Sequence, residues 1–169
     1  MKRSIAPFGN EIISLRLIEE SDLEKTLDWR NRDDARVWFK TSNLLTLEQH
    51  QAWFHRYLNK DDDFLFVIEA EGKMVGQVSV YEVQWDKGCA EIGRFLVAPD
   101  SSGKGYMMAA CKALICLCTN VLNLQYLFLE VIETNDRAIR LYKRLGFLEE
   151  QRYSGLVRMG LSELTKTLK

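Results

Sequence analysis

A short glycine-rich segment, Ser102-Gly103-Lys104-Gly105, separates a predicted strand from a long apolar stretch of helical character. Glycine permits sharp turns and lets a ligand approach the backbone closely. The first turn of a helix carries unpaired N–H groups and a partial positive charge, and both attract phosphate. The segment and the start of the helix, residues 102–107, are therefore predicted to hold a pyrophosphate.

A Gly-x-Gly turn by itself is also compatible with an ordinary connection between a strand and a helix. The segment lacks the Gly-Lys-Ser/Thr ending of a P-loop and the third glycine of a dinucleotide-binding fingerprint. These two nucleotide-binding motifs are thus excluded, whereas phosphate binding by the start of the helix stays open.

A second group of polar residues surrounds a later predicted helix. Asn135 is a preferred N-cap and Gly146 a typical C-cap, so the helix is expected between them. Tyr142 follows Asn135 by about two turns, which places both on one side of the helix. Two interpretations stay open: Tyr142 packs in the core while Asn135 only caps the helix, or both side chains face a ligand.

Composition restricts the class of protein. The chain has 169 residues, is 47% hydrophobic and has a formal net charge of −1, so one domain spanning 1–169 is expected. The near-neutral charge argues against broad nucleic-acid binding. Neither a long apolar run nor a signal sequence is found, so no membrane span and a cytoplasmic location are expected. The four cysteines lack metal-ligand spacing and are expected to be reduced, mostly buried side chains, so no metal is predicted.

These chemical groups need a framework of strands and helices to position them. Capping boxes at Ser21/Glu24 and Thr46/Gln49 predict the starts of two helices, with a short helical piece around 35–39 between them. Apolar runs predict strands at 12–17, 64–70, 74–83, 90–97, 124–132, 147–153 and 156–161, and helices at about 106–121 and 135–145. The mixture indicates one sheet with helices on both faces.

The combined spacing is specific. Val97-x-Pro99-x-x-Ser102-Gly103-x-Gly105, then a helix, a strand and Asn135-x-x-Ala138-x-x-x-Tyr142-x-x-x-Gly146-Phe147, resembles the GNAT family, the Gcn5-related N-acetyltransferases. The resemblance extends from about residue 12 to 161. It implies an α+β (αβα) fold with a mixed, mostly antiparallel sheet of about seven strands, whose two central strands splay apart in a V. Ser102 is a departure, because the family usually has Arg or Gln there.

The resemblance also implies an acetyl-CoA-dependent N-acetyltransferase that needs no metal. Acetyl-CoA would be bound by these positions: Phe95, Leu96, Val97, Ser102, Gly103, Lys104, Gly105, Tyr106, Met107, Asn135, Arg137 and Tyr142. Tyr142 would donate a proton to the departing thiolate, since a phenol is protonated at neutral pH. Backbone N–H groups near Phe95 or Val97 would stabilise the oxyanion.

The general base is predicted among carboxylates of the central strands. Glu91 and Glu130 stand one on each strand, and charge on a central strand is unusual unless it faces a cleft. Either would take the amine proton directly or through water; the alternative for each is an exposed strand residue or an ion-pair partner. Tyr81 and Glu82 are weaker candidates.

The acceptor amine is predicted from the N-terminal helices. The pattern Trp-Arg-Asn … Leu-Glu-x-His-x-x-Trp-Phe over residues 29–54 is similar to the GNAT subgroup that acetylates UDP-linked amino sugars on the way to pseudaminic acid. Substrate contacts are then expected from Arg30, Phe39, His50, Trp53, Tyr81, Glu91 and Glu130. Alternative acceptors are an N-terminal amine of a ribosomal protein or a polyamine. A non-enzymatic acyl-CoA sensor is a further alternative. For the assembly, a homodimer is an open expectation.

Overall fold

The computed structural model describes residues 2–164; Met1 and 165–169 lie outside the described residues. The strands are β1 (Phe8–Gly9), β2 (Ser14–Leu17), β3 (Asp63–Ala70), β4 (Lys73–Gln84), β5 (Cys89–Val97), β6 (Tyr126–Ile132), β7 (Leu148–Tyr153) and β8 (Leu156–Ser162). The α-helices are α1 (Leu23–Asn31), α2 (Asp33–Arg36), α3 (Leu47–Tyr57), α4 (Tyr106–Asn120) and α5 (Asp136–Arg144), and short 3₁₀ turns span Glu20–Asp22 and Pro99–Ser101.

One mixed sheet contains all eight strands in the order β1-β2-β3-β4-β5-β6-β8-β7. Every neighbouring pair is antiparallel except β5 and β6, which run parallel. The predicted α+β class and mostly antiparallel sheet are confirmed. The predicted count of about seven strands is one short, because the two residues of β1 are too few to produce an alternating pattern.

Helices cover both faces of the sheet, as predicted. On one face, α4 and α5 bury apolar residues such as Leu114 and Ile139 against the large central core. On the other face, Phe54 of α3 packs with Leu65 of β3, and Trp29 of α1 packs against the end of β5. These faces are called the α4 face and the α1 face below.

The start of α3 confirms one predicted capping box and the start of α1 corrects the other. The Thr46 hydroxyl accepts from the Gln49 N–H and the Gln49 side chain accepts from the Thr46 N–H. Near α1, the reciprocal capping bonds join Glu19 and Asp22 around the preceding 3₁₀ turn, so the box predicted at Ser21/Glu24 is wrong. Asp22 is fixed there because it also binds the guanidinium of Arg16 at 2.7 Å.

The parallel pair β5–β6 separates after three residue pairs. Its register ends at Glu91↔Phe128, although β5 continues to Val97 beside β4 and β6 continues to Ile132 beside β8. A bulge in β5 accompanies the separation: one residue of β4, Val78, lies opposite two of β5, Arg94 and Phe95, and Arg94 has a φ of 54°. The predicted splay is therefore present, and the wedge-shaped opening is called the gap.

Across residues 2–164, none of the helices combines the length and apolarity needed to cross a membrane. Cys111 and Cys118 are buried on α4, whereas Cys89 and Cys116 are half-buried, and all four thiols are free. The structure thus agrees with the interpretation of the cysteines as reduced, largely buried side chains.

Candidate active site

The turn before α4 leaves its backbone open to a ligand. Gly103 and Gly105 have φ angles of 77° and 78°, in the left-handed region where glycine is favoured. A Cβ added at either position would meet no atom within 4 Å, and no side chain caps the helix at Gly105. Along α4, the first N–H that donates a hydrogen bond within residues 2–164 is that of Ala109, whose acceptor is the Gly105 carbonyl. The open turn and its unpaired amides fit a pyrophosphate.

The other residues predicted around this turn lie close to it. Ser102 and Lys104 are exposed, while Tyr106 and Met107 are half-buried in the first turn of α4. Because Ser102 is exposed in an open turn, its short side chain does not obstruct the amides.

The edge of β5 supplies backbone groups to the gap. The Ala98 N–H donates to the Val75 carbonyl of β4. Since backbone groups alternate between the two edges of a strand, the N–H and carbonyl of Val97 point away from β4. The Val97 carbonyl accepts from Arg32 Nη2 at 2.8 Å, which leaves its N–H for a ligand. Leu96 is buried beside Trp29, and by the same alternation its backbone N–H and carbonyl face β4, where Leu96 pairs with Gln77.

Helix α5 lies beyond the gap on the α4 face. Asn135 caps α5, its Oδ1 accepting from the Ala138 N–H at 3.3 Å, so the capping interpretation is confirmed. Arg137 is exposed in the first turn of the helix. Tyr142 is buried, with its ring centroid 5.3 Å from that of Phe95 on β5. The core interpretation of the Tyr142 ring is thus also correct.

The ring of Tyr142 is buried, whereas its phenol oxygen is not fully enclosed. The oxygen forms no hydrogen bond with another residue of the described range 2–164, and it is not among the buried polar atoms without a partner. Burial, reinforced by the nearby Cys111 and Tyr81, raises the pKa of Tyr142 well above the ordinary phenol value. The hydroxyl therefore keeps its proton and has a free hydrogen-bonding capacity beside the gap.

On the α1 face, Glu91 lies at the point where β5 and β6 separate. It is 6% exposed and its Oε2 accepts from the Tyr81 hydroxyl at 2.6 Å. Tyr81 reaches it across Gly93, where a Cβ would lie 2.5 Å from the Tyr81 oxygen. Burial raises the pKa of Glu91, although the bond from Tyr81 opposes the shift. A carboxylate with a raised pKa is a stronger base.

Glu130 lies on β6, two residues beyond the last β5–β6 pair. Its Oε2 is 3.1 Å from Lys40 Nζ, so Glu130 is an ion-pair partner, one of its two predicted alternatives. Burial opposes ionisation of Glu130, but the Tyr153 hydroxyl and Lys40 outweigh it and lower the pKa. Glu130 is therefore the ionised member of the pair, and it in turn contributes to the raised pKa of Glu91.

The predicted acceptor-binding residues of the N-terminal helices mainly serve the protein itself. Arg30 donates through Nη2 to the Thr41 carbonyl, and its guanidinium carbon lies 4.6 Å from the centre of the Phe39 ring. Its Nη1 is buried and has no hydrogen-bond partner among the described residues. Arg30 is a predicted substrate contact, but with Nη2 bound to Thr41 and Nη1 buried it does not present a pair of accessible donors to a substrate phosphate.

His50 and Trp53 are similarly occupied. The His50 Nε2 is 3.1 Å from the Thr26 hydroxyl, and its ring stacks on Trp53 with centroids 5.4 Å apart. Trp53 stacks in turn on Tyr57 and packs against the α3–β3 core. The substrate contact expected from Trp53 therefore competes with a packing role inside the protein.

Sequence reasoning missed a buried ion pair that supports this face. Arg94, at the bulge of β5, makes two bonds of 2.6 and 3.1 Å to the carboxylate of Asp63, which is 2% exposed. Its guanidinium carbon lies 4.4 Å from the centre of the Tyr81 ring. Arg94 thus holds the ring whose hydroxyl binds Glu91. An arginine within an apolar strand was the available signal.

Lys40 and Arg32 were also missed, because the segments that carry them have no periodic pattern.

No cluster of three or more His, Cys, Asp or Glu side chains suited to a metal ion is found in the described part of the chain. The site as built therefore consists of an anion-binding turn, a gap between strands, and titratable groups on both sides of that gap.

Comparison of the chain with known protein families and structures agrees with this geometry. The family model for the GNAT acetyltransferase domain matches residues 13–148. The chain therefore belongs to the GNAT acetyltransferases, and it is an acetyl-CoA-dependent N-acetyltransferase.

Two proteins of similar sequence and one solved structure extend the comparison. Spermidine N(1)-acetyltransferase from Escherichia coli K12 is 30% identical over 140 residues, covering 82% of this chain and 74% of that protein. The enzyme of the same name from Vibrio cholerae is 26% identical over 143 residues, covering 83% and 82%. A crystal structure of spermidine N-acetyltransferase from Vibrio cholerae with CoA and spermine has a TM-score of 0.85 at 23% identity, covering 95% of this chain and all of that one. This last likeness supports the fold.

His50 is expected to make folding stability depend on pH. Burial, with the nearby charge of Arg30, lowers the pKa of His50, so the folded ring stays neutral where the unfolded chain binds a proton. This contribution is complete above about pH 6.5 and is lost as the pH falls. Urea unfolding at about pH 7.5 and 5.5 measures the free energy of unfolding. On going to the lower pH, this free energy should fall more for the wild type than for His50→Gln. His55→Gln, at an exposed position of the same helix, should keep the wild-type dependence; equal losses in all three would refute the prediction.

Proposed function

We propose that this enzyme transfers acetyl from acetyl-CoA to a primary amino group of a linear aliphatic polyamine of the spermidine type. The observation that carries the proposal is the pair of carboxylates, Glu91 and Glu130, where the central strands diverge on the α1 face. A polyamine brings several positive charges, which such carboxylates bind. Both E. coli and V. cholerae relatives are named for acetylation of spermidine.

The nucleotide-linked amino sugar expected from the N-terminal pattern is less favoured as the acceptor. Its diphosphate requires accessible cationic donors, but Arg30 Nη2 binds the chain's own Thr41 carbonyl and Arg30 Nη1 is buried. His50 has a lowered pKa and a bond to Thr26, so it is held neutral. The aromatic groups at 29 and 53 pack inside the protein. These contacts support a structural role for the Trp-Arg-Asn … Trp-Phe pattern of residues 29–54, the pattern from which an amino-sugar acceptor was predicted.

Acetyl-CoA fits the turn and the gap on the α4 side. The amides that begin α4 would hold its pyrophosphate, and the Val97 N–H would bind its pantetheine arm. When bound, it supplies an activated acyl group whose carbonyl a neutral amine attacks. Glu91, with its raised pKa and its orienting bond from Tyr81, would accept the amine proton. Glu130, held ionised, would bind a nitrogen that does not react.

Tyr142 would return a proton to the departing sulfur. Its pKa is raised by burial, so the phenol stays protonated over the working range of pH. A thiolate with a pKa near 8.5 is basic enough to bind this donor strongly as it leaves. The acid and the base then lie on opposite faces of the sheet, and the gap connects them.

The acceptor is tested by following thiol release from acetyl-CoA with spermidine, spermine, a UDP-linked amino sugar and a peptide with a free N-terminus. Spermidine and spermine should give the highest kcat/KM. Glu130→Gln should raise KM for spermidine, while Glu133→Gln, at an exposed position just after β6, should not. Turnover of the amino sugar or the peptide without turnover of polyamines would contradict the proposal. Binding of acetyl-CoA without turnover of any acceptor would favour the sensor alternative.

Tyr142→Phe should reduce kcat by about 10²- to 10⁴-fold, as for loss of a general acid, while acetyl-CoA affinity stays the same. Tyr57→Phe is the matched control, because it removes a buried phenol oxygen that accepts from the Leu65 N–H of β3, a strand that β4 separates from β5. It should cost about 1 kcal/mol of stability and leave kcat near the wild-type value. Lost acetyl-CoA binding in Tyr142→Phe, measured by calorimetry, would contradict the role as an acid.

Gly105→Ala should weaken CoA binding by about 10- to 100-fold, because an L-residue strains the left-handed turn and moves the amides that bind phosphate. Gly72→Ala is a close control: its φ of 77° and open surroundings match those of Gly105, but it lies in the β3–β4 hairpin. Both substitutions should lower thermal stability alike. Equal CoA affinities for the two variants, measured by calorimetry, would show that the turn does not hold the diphosphate.

A further inference from the structure

The segment between α2 and α3, residues 37–46, is neither helix nor strand, yet it is firmly attached. Arg36 Nη1 donates to the Ser42 carbonyl at 3.0 Å. Asn31 makes two bonds to Leu45, from its side-chain amide to the carbonyl and from the Leu45 N–H to its Oδ1, at 2.8 and 2.9 Å. Side chains of α1 and α2 therefore set the path of this segment, and with it the position of Lys40.

Lys40 projects from this segment to the acceptor side of the gap. Its Nζ lies 3.1 Å from Glu130 Oε2; the Lys40 side chain is 53% exposed and that of Glu130 only 13%. Lys40 is also close enough to affect the charge of Glu91. An ammonium of the protein itself thus occupies the carboxylate that, under the proposed function, binds an ammonium of the acceptor.

The ion pair between Lys40 and Glu130 affects acceptor binding because of the charge states that the reaction requires. The attacking nitrogen must be neutral, because an ammonium has no lone pair. The cation that competes with Lys40 for Glu130 is therefore a second, non-reacting nitrogen of the acceptor. A half-exposed ion pair contributes little to stability, so an incoming ammonium exchanges with it readily. The exchange replaces one charge pair by another, and acceptor affinity is accordingly lower than an unpaired Glu130 would provide.

We infer that Lys40 is an internal competitor for Glu130 and determines the affinity of the enzyme for polycationic acceptors. This inference rests on the proposed function. Lys40 is a positioning residue here: it acts on the acceptor through Glu130 and takes no part in bond making. It sets KM for a polyamine, while kcat is set by the groups at the gap.

Steady-state kinetics with acetyl-CoA and spermidine tests the inference on the wild type, Lys40→Met, Lys40→Arg and Lys112→Met. Lys112→Met is the matched control, since it removes one exposed ammonium from α4 on the opposite face of the sheet. In Lys40→Met, KM for spermidine should fall about three- to tenfold with kcat nearly unchanged, and the difference should shrink as salt rises. Lys40→Arg and Lys112→Met should resemble the wild type.

n-Butylamine separates competition from a general change of the site, because it has no second ammonium. Its kcat/KM should be the same, however low, in Lys40→Met and in the wild type. An unchanged or raised KM for spermidine in Lys40→Met would overturn the inference and leave the proposed function standing. An equal gain with n-butylamine would also overturn it. Absence of spermidine turnover in every variant would overturn both the inference and the proposed acceptor.

Discussion

The site depends on the early end of the parallel pairing between β5 and β6. After the pair Glu91↔Phe128, β5 and β6 are no longer paired with each other. The edge of β5 that faces β6 is therefore available to a ligand from Ile92 onward. The cost of unpaired backbone groups in the middle of a sheet is high, so the arrangement is retained where something else binds there. Under the proposed function, a pantetheine arm lying against β5 would satisfy that requirement, and the amides at the start of α4 would anchor its diphosphate.

The gap also makes the two faces of the sheet chemically different while keeping them in contact. On the α4 face, burial keeps the Tyr142 phenol protonated. On the α1 face, burial raises the pKa of Glu91, whereas Lys40 and Tyr153 lower that of Glu130. Under the proposed function, Glu91 would be the proton acceptor and Tyr142 the proton donor, while Glu130 stays ionised. These different states arise because each side chain experiences a different balance of desolvation and neighbouring charge.

Sequence reasoning succeeded where structure is local. The glycine turn before α4 and the Thr46 capping box depend on residues near one another in the chain, and both are present. The capping box predicted at Ser21/Glu24 failed because Asp22 is engaged by Arg16, on the preceding strand. Arg30 and His50 were assigned to a substrate because their partners, Thr41 and Thr26, are brought to them only by folding.

The sequence by itself determined the class of enzyme, since the spacing of the two glycines, Asn135 and Tyr142 is a local property of two helix starts and the strands before them. Only the tertiary structure decided how the acceptor side is built. Glu91 and Glu130 come from strands that are adjacent in the sheet but distant in the chain, and Lys40 reaches them from a segment with no periodic pattern. Pairing between such distant charges depends on three-dimensional distance and burial, and a linear pattern of residue types records neither.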